Sequence, residues 1–164
     1  MRSLAVEHAH GYAIAMESNE LSHAIVHPAR LGWRLLALTY DALPVLALLL
    51  IASALMVLLR GGRTVEQSPA WAALQFMLFW LIGGGYFVVS WRRGGQTIGM
   101  RPWRLRVLAA DGTFASWRAL WLRYLVACLT PGLCLFWTLV DSERRGLHDL
   151  AAGTNVVRRD ASAR

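Results

Sequence analysis

Pro28-Ala29-Arg30-Leu31-Gly32-Trp33-Arg34-Leu35-Leu36-Ala37-Leu38-Thr39-Tyr40-Asp41-Ala42-Leu43-Pro44 is the stretch that decides how this chain is read. It opens an apolar run that continues to Leu59. A helix needs about 20 apolar residues to cross a bilayer, and Leu35 to Leu59 supplies them. Asp41 sits inside that run. A carboxylate at such a depth costs about 2.5–3.5 kcal/mol on insertion scales unless a partner or water receives it. Asp41 therefore reads as a functional or partnered group. Proline at position 28 suits the first turn of a helix, where its missing N–H is not needed. Arg34, at the boundary of the run, can snorkel to the headgroups.

Working outward, the whole chain carries the same imbalance. Of its 164 residues, 56 % are hydrophobic and 16 % charged, against about 45–50 % and 25 % in soluble domains. The length predicts one domain. Net charge is +7, and all 17 basic residues are arginine. These arginines flank apolar runs, where they satisfy the positive-inside rule and meet anionic headgroups. That placement accounts for the charge, so nucleic acid is not expected as a partner. Cys128 and Cys134 fall in the third apolar run and read as small buried apolar groups, neither disulfide nor metal site. Residues 1–27 form a polar tail broken by Glu7, Glu17 and Glu20, without the apolar core of a signal peptide. Met16 is an alternative start.

A second span is expected from about Trp71 to Trp91, with aromatic anchors at both ends. Its Gly83-Gly84-Gly85 would let another backbone approach closely. Trp103, Leu105 and Val107 alternate with Arg104 and Arg106 as in a half-buried strand. Asp111-Gly112 then predicts a hairpin. Thr154 to Arg158 would add a third strand. The third apolar run, Leu120 to Val140, contains Arg123 and is broken by Pro131-Gly132. It reads either as one kinked span or as two short helices that enter and leave on one side. Arginines follow both the second and the third run, which favours the re-entrant form with both regions cytoplasmic.

With these residues on the page, the chain resembles the RDD family of membrane proteins. Arg34, Ala37 and Asp41 match the first signature. Gly94-Gly95-Gln96-Thr97-Ile98-Gly99-Met100 resembles the glycine-rich stretch after the second helix. The Asp111-Gly112 hairpin and Arg123-Tyr124 fit, and His148-Asp149-Leu150-Ala151-Ala152-Gly153-Thr154 resembles the closing signature. The resemblance covers about Pro28 to Arg159. It implies a multi-pass protein of the bacterial inner membrane, and it allows sodium–proton exchange, with which some members are associated.

Each candidate residue carries two readings. Asp41 is either a cation or proton site, helped by Thr39, by Tyr40 and by the Tyr40 carbonyl that Pro44 leaves without a donor, or a structural bond between helices. Arg34, seven residues earlier and about 10 Å along the axis, is a snorkelling anchor or an ion-pair partner of Asp41 or Asp149. Asp149 either pairs with Arg34, locking the first helix to the C-terminal segment, or caps a turn. His148 is a solvated histidine or a pH sensor. Gln75, Tyr86 and Ser90 line a polar path or bond to the first span. Glu20, His23 and His27 share a helical face, yet metal binding is not expected from them. No enzyme signature or cofactor motif is present.

The expectation is thus an all-α membrane protein, a small bundle of two full transmembrane helices and a broken third segment, with a small cytoplasmic β-hairpin element. A tail at 1–27, a membrane domain at 28–159 and a short tail at 160–164 make up the chain, with both termini cytoplasmic. The bilayer and either a second copy or another membrane protein are the expected partners. Cation or proton transport through Asp41 leads. A non-catalytic accessory or scaffold subunit, with Arg34, Asp41 and Asp149 as structural ion-pair glue, is the alternative.

Overall fold

The computed structural model describes residues 26–62, 69–130 and 132–159. Residues 1–25 with Met16, Glu20 and His23, the loop residues 63–68, Pro131, and the last five residues lie outside them, while His27 of the expected tail falls in a strand. Strand β1 (Val26–Pro28) leads into helix α1 (Leu31–Leu59), and α2 (Pro69–Gly94) follows. Then come β2 (Leu105–Ala109), α3 (Trp117–Leu129), α4 (Leu133–Phe136) with a 3-10 turn (Trp137–Leu139), α5 (Leu147–Ala152) and β3 (Thr154–Arg159).

The two long helices carry the apolar runs. Their 29 and 26 residues rise about 43 and 39 Å at 1.5 Å each, enough for a hydrocarbon core of about 30 Å. Both are long and apolar enough to span a membrane. Their large side chains face outward: Leu43, Ile51 and Leu58 on α1 and Phe76 on α2 are each more than 60 % exposed. In water such surface would be untenable, and in lipid it is ordinary. Pro44 lies inside α1 without ending it. Arg60 stacks over the Trp71 ring at 4.9 Å and ties the end of α1 to the start of α2.

The chain is mostly helical, but its β part is larger than a hairpin. The strands form one antiparallel sheet in the order β1-β3-β2. Asp111-Gly112 does make a tight turn, with Gly112 at φ +82° and the Asp111 carboxylate accepting from the Thr113 amide and hydroxyl. No strand follows it. The chain goes to Ser116, whose hydroxyl caps α3 by accepting from the Ala119 amide. The strand opposite β2 comes instead from the C-terminus, with Val107 facing Val156. Pro28 ends β1 rather than starting a helix. The β2 alternation holds, with Leu105 and Val107 buried, but it begins only at Leu105 because Arg104 turns the chain at φ +54°.

The third apolar run is split. Trp117–Leu129 and Leu133–Leu139 are bent by 110°. Gly132, at φ +84°, begins the second piece. Cys134 is buried as expected, while Cys128 is exposed, and both are free thiols. Gly83 and Gly84 are approached by side chains rather than by a backbone. A Cβ on Gly84 would stand 2.6 Å from Trp121, and one on Gly83 3.0 Å from the Tyr124 hydroxyl. The core gathers at the sheet end of the helices, where Val88, Leu105, Val107, Leu120 and Val156 pack together.

Candidate functional site: two buried carboxylates beside a cavity

Asp149 is fully buried near the start of α5 and draws three helices together. Arg34 of α1 donates to its Oδ2 at 2.5 Å. Arg123 of α3 donates to its Oδ1. The Gly146 amide donates to Oδ2 at 2.9 Å, so the same carboxylate also caps its own helix. Pairing and capping, read as alternatives in the sequence, coexist.

Neither arginine snorkels. Arg34 is 7 % exposed and spends its other donors on the Ala29 carbonyl at 3.2 Å and the Arg144 carbonyl at 2.8 Å. Arg123 reaches the Thr154 hydroxyl at 2.8 Å and lies over the Trp91 ring at 4.9 Å. Burial alone would raise the Asp149 carboxyl. The two guanidiniums outweigh it and hold the group well below the usual carboxylate range. His148 is buried rather than solvated, with Nε2 3.7 Å from Asp149. Burial and the Arg123 charge push it down to about 3, so it is neutral at pH 7.

Asp41 is 2 % exposed and meets a different set of partners. The Tyr86 hydroxyl of α2 donates to Oδ1 at 2.6 Å. The Gly99 amide donates to the same oxygen at 2.8 Å, and the Thr97 hydroxyl to Oδ2 at 2.5 Å. The glycine-rich stretch is thus the cradle of this carboxylate. Gly99 sits so close to the Ala37 carbonyl and to Asp41 that a Cβ has no room. Thr39 and Tyr40 stand apart from the cradle. The Thr39 hydroxyl donates to the Leu35 carbonyl, and Tyr40 is half exposed against Trp103. Arg34 bonds Asp149, not Asp41.

A cavity of about 340 Å³ opens beside Asp41 and the two arginines that hold Asp149. Asp41, Arg34, Arg123, His148, Thr97 and Tyr124 reach its wall, and most of the rest is apolar, including Trp91 and Leu135. Two buried nitrogens of this group, Arg123 Nε and His148 Nδ1, find no hydrogen-bond partner among the described residues. Among the described residues no cluster of His, Cys, Asp and Glu is fit to hold a metal. Arg123 is the central residue that a reading based on Asp41 passes over. The signal was present, since an arginine inside an apolar run demands a partner as an aspartate does. Tyr86 answers to the expected bond to the first span.

Comparison with known proteins agrees with this layout. Residues 28–153 match the model of the RDD family. A curated relative, the uncharacterized protein YckC of Bacillus subtilis (strain 168), is 40 % identical over 74 residues, covering 40 % of this chain and 48 % of the relative. The matched region thus spans about half the length of that relative. No solved structure matches.

Proposed function

This chain belongs to the RDD family, and from that premise we propose that it is a non-catalytic brace or accessory subunit of the bacterial inner membrane. Its buried charges fasten a small cytoplasmic sheet to two transmembrane helices. The observation that carries this reading is the Asp41 cradle. Three donors converge on the carboxylate, and one of them is a backbone amide that cannot turn away. A cation site needs converging oxygen acceptors. A cradle of donors instead suits a fixed anion that pins α1 to α2 and to the glycine loop.

The sheet supports a topology in which the third run enters and returns on one side. β3 pairs with β1, which precedes the first span, and with β2, which follows the second. Those two positions share a side if α1 and α2 each cross once. The 110° bend within the third run supports the same path. Both termini are then cytoplasmic, on the side favoured by the arginines. The exposed apolar faces of two spans suit packing against a second copy or another membrane protein.

A transport reading keeps one observation in its favour: Asp41 borders a cavity, and no arginine among the described residues bonds to it. Reconstituted vesicles separate the two. A brace passes no sodium or protons above empty vesicles, and Asp41→Asn lowers the yield and thermal stability of folded protein by about 1–3 kcal/mol. Wild-type flux that disappears in an Asp41→Asn protein of undiminished yield overturns the brace.

A further inference from the structure

We propose that the corner where the Arg101–Arg104 turn meets α1 and β3 binds the phosphate of an anionic glycerophospholipid, drawn from the leaflet that surrounds the sheet end of the helices. Three arginines gather there. Arg101 and Arg104 are exposed, and their turn is closed by the Arg104 amide donating to the Arg101 carbonyl at 3.1 Å. The Arg104 carbonyl accepts from the Arg159 amide at 3.1 Å. That bond sets the turn beside Arg158, the register partner of Leu105. Arg158 lies over the Trp33 ring at 4.3 Å. The carboxylates of the described residues are engaged elsewhere. Asp41 sits in its cradle, and Asp149 holds Arg34 and Arg123. Asp141 and Glu143 pair with Arg145, and Asp111 folds onto Thr113. Three guanidiniums that meet no carboxylate among the described residues suit an anion arriving from outside, and a phosphate matches the guanidinium fork.

The aromatic rings at the same corner favour a lipid over a free anion. Trp103 packs against Trp33 with ring centroids 5.1 Å apart and against Tyr40 at 6.0 Å. Trp33 and Tyr40 are seven residues apart on α1, about 10 Å along its axis. The Trp103 indole therefore bridges from the start of the span to a point nearly two turns inside it. α1 is longer than the hydrocarbon core is thick, so its first turn reaches headgroup depth. Tryptophan and tyrosine settle at that depth because each is apolar at one end and polar at the other. Trp33, Leu36, Tyr40 and Leu43 follow one another at helical spacing on one face of α1. Leu36, Tyr40 and Leu43 are 41, 50 and 70 % exposed. Arginines at the boundary, rings below them and an open apolar track running inward repeat the order of phosphate, glycerol and acyl chain in one lipid. The site is independent of whether the domain braces partners or passes ions.

The test places the full chain in nanodiscs of phosphatidylcholine with a trace of phosphatidylglycerol that carries a diazirine on its acyl chain. Labelling should saturate and concentrate on Leu36, Tyr40 and Trp103. Unlabelled phosphatidylglycerol should compete about tenfold better than phosphatidylethanolamine, whose headgroup has no net charge. Arg101→Gln combined with Arg104→Gln should weaken phosphatidylglycerol binding about tenfold, as expected when two juxtamembrane arginines are lost. Arg93→Gln combined with Arg118→Gln removes the same charge from other exposed positions and should leave binding unchanged within about twofold. The wild-type competition decides the point even where a variant is poorly recovered. Equal competition by the two lipids, labelling that does not saturate or spreads evenly over α1 and α2, undiminished binding in the first double variant when folded, or an equal loss in the second overturns the site. Competition by inorganic phosphate as strong as that by phosphatidylglycerol overturns the stated occupant.

Discussion

Asp41 and Asp149 are both buried, and the chain solves their burial in opposite ways. Asp149 is met by two guanidiniums and its own helix start. Asp41 is met by a phenol, an alcohol and one amide, with no arginine among the described residues bonded to it. The first arrangement joins segments distant in the chain by charge. The second sets a loop against a span by directed hydrogen bonds alone. A buried carboxylate thus needs enough donors, not necessarily an opposite charge, provided one of them is held rigidly by the backbone.

The comparison breaks most easily at the charged end. Asp149→Asn leaves two buried guanidiniums without their anion, and removing one partner of such a cluster costs about 3–5 kcal/mol. We expect the variant to be recovered largely unfolded, as size exclusion of a fluorescent fusion in detergent would read. A well-folded Asp149→Asn protein with unchanged melting would show that the charges are not what holds the sheet to the helices.

A middle-sized effect concerns pH. His148 is a base whose folded value is depressed, so the unfolded chain takes up a proton that the folded one refuses. Stability is complete above the unfolded value of about 6.5 and is lost as pH falls from there toward the folded value of about 3. Between pH 7 and pH 5 the loss is about 2 kcal/mol. Asp149 adds nothing in that window. Its carboxyl is depressed, and its contribution is lost only at pH values below the unfolded value. Melting curves of wild type and His148→Gln at both pH values check this. The variant should lose the slope, and an equal slope in both proteins would assign it to another group.

The smallest effect belongs to the neutral end. Tyr86→Phe removes one of three donors from Asp41 and should destabilise by about 1–1.5 kcal/mol, visible as a few degrees in melting temperature. A loss as large as that of Asp149→Asn would mean that the phenol carries the cradle alone and that the division between the two carboxylates is false.

Much of this plan is legible in the residues themselves. Leu35 to Leu59 and the run around Gly83 to Gly85 declare two long helices by length and composition, and the arginines declare where they end. The alternation of Leu105 and Val107 marks a buried strand. What the sequence hides is pairing at long range. Asp111-Gly112 makes the turn expected of it, yet a turn does not choose its neighbours, and the partner of β2 lies in a strand beginning at Thr154. The link of Arg34 to Asp149 was one of several open alternatives. Arg123 and the glycine loop entered only as pattern, because their meaning depends on a fold that brings Gly99 against α1.

The first strand and the last are hydrogen-bonded neighbours, with β3 between β1 and β2. A ribosome delivers them at opposite ends of the job. Arg34 emerges 115 residues ahead of the aspartate that receives it, and through that interval its guanidinium has only water, headgroups or local carbonyls for company. The sheet and the Asp149 cluster are therefore a clasp that shuts only after β3 is made, joining segments from opposite ends of the described residues.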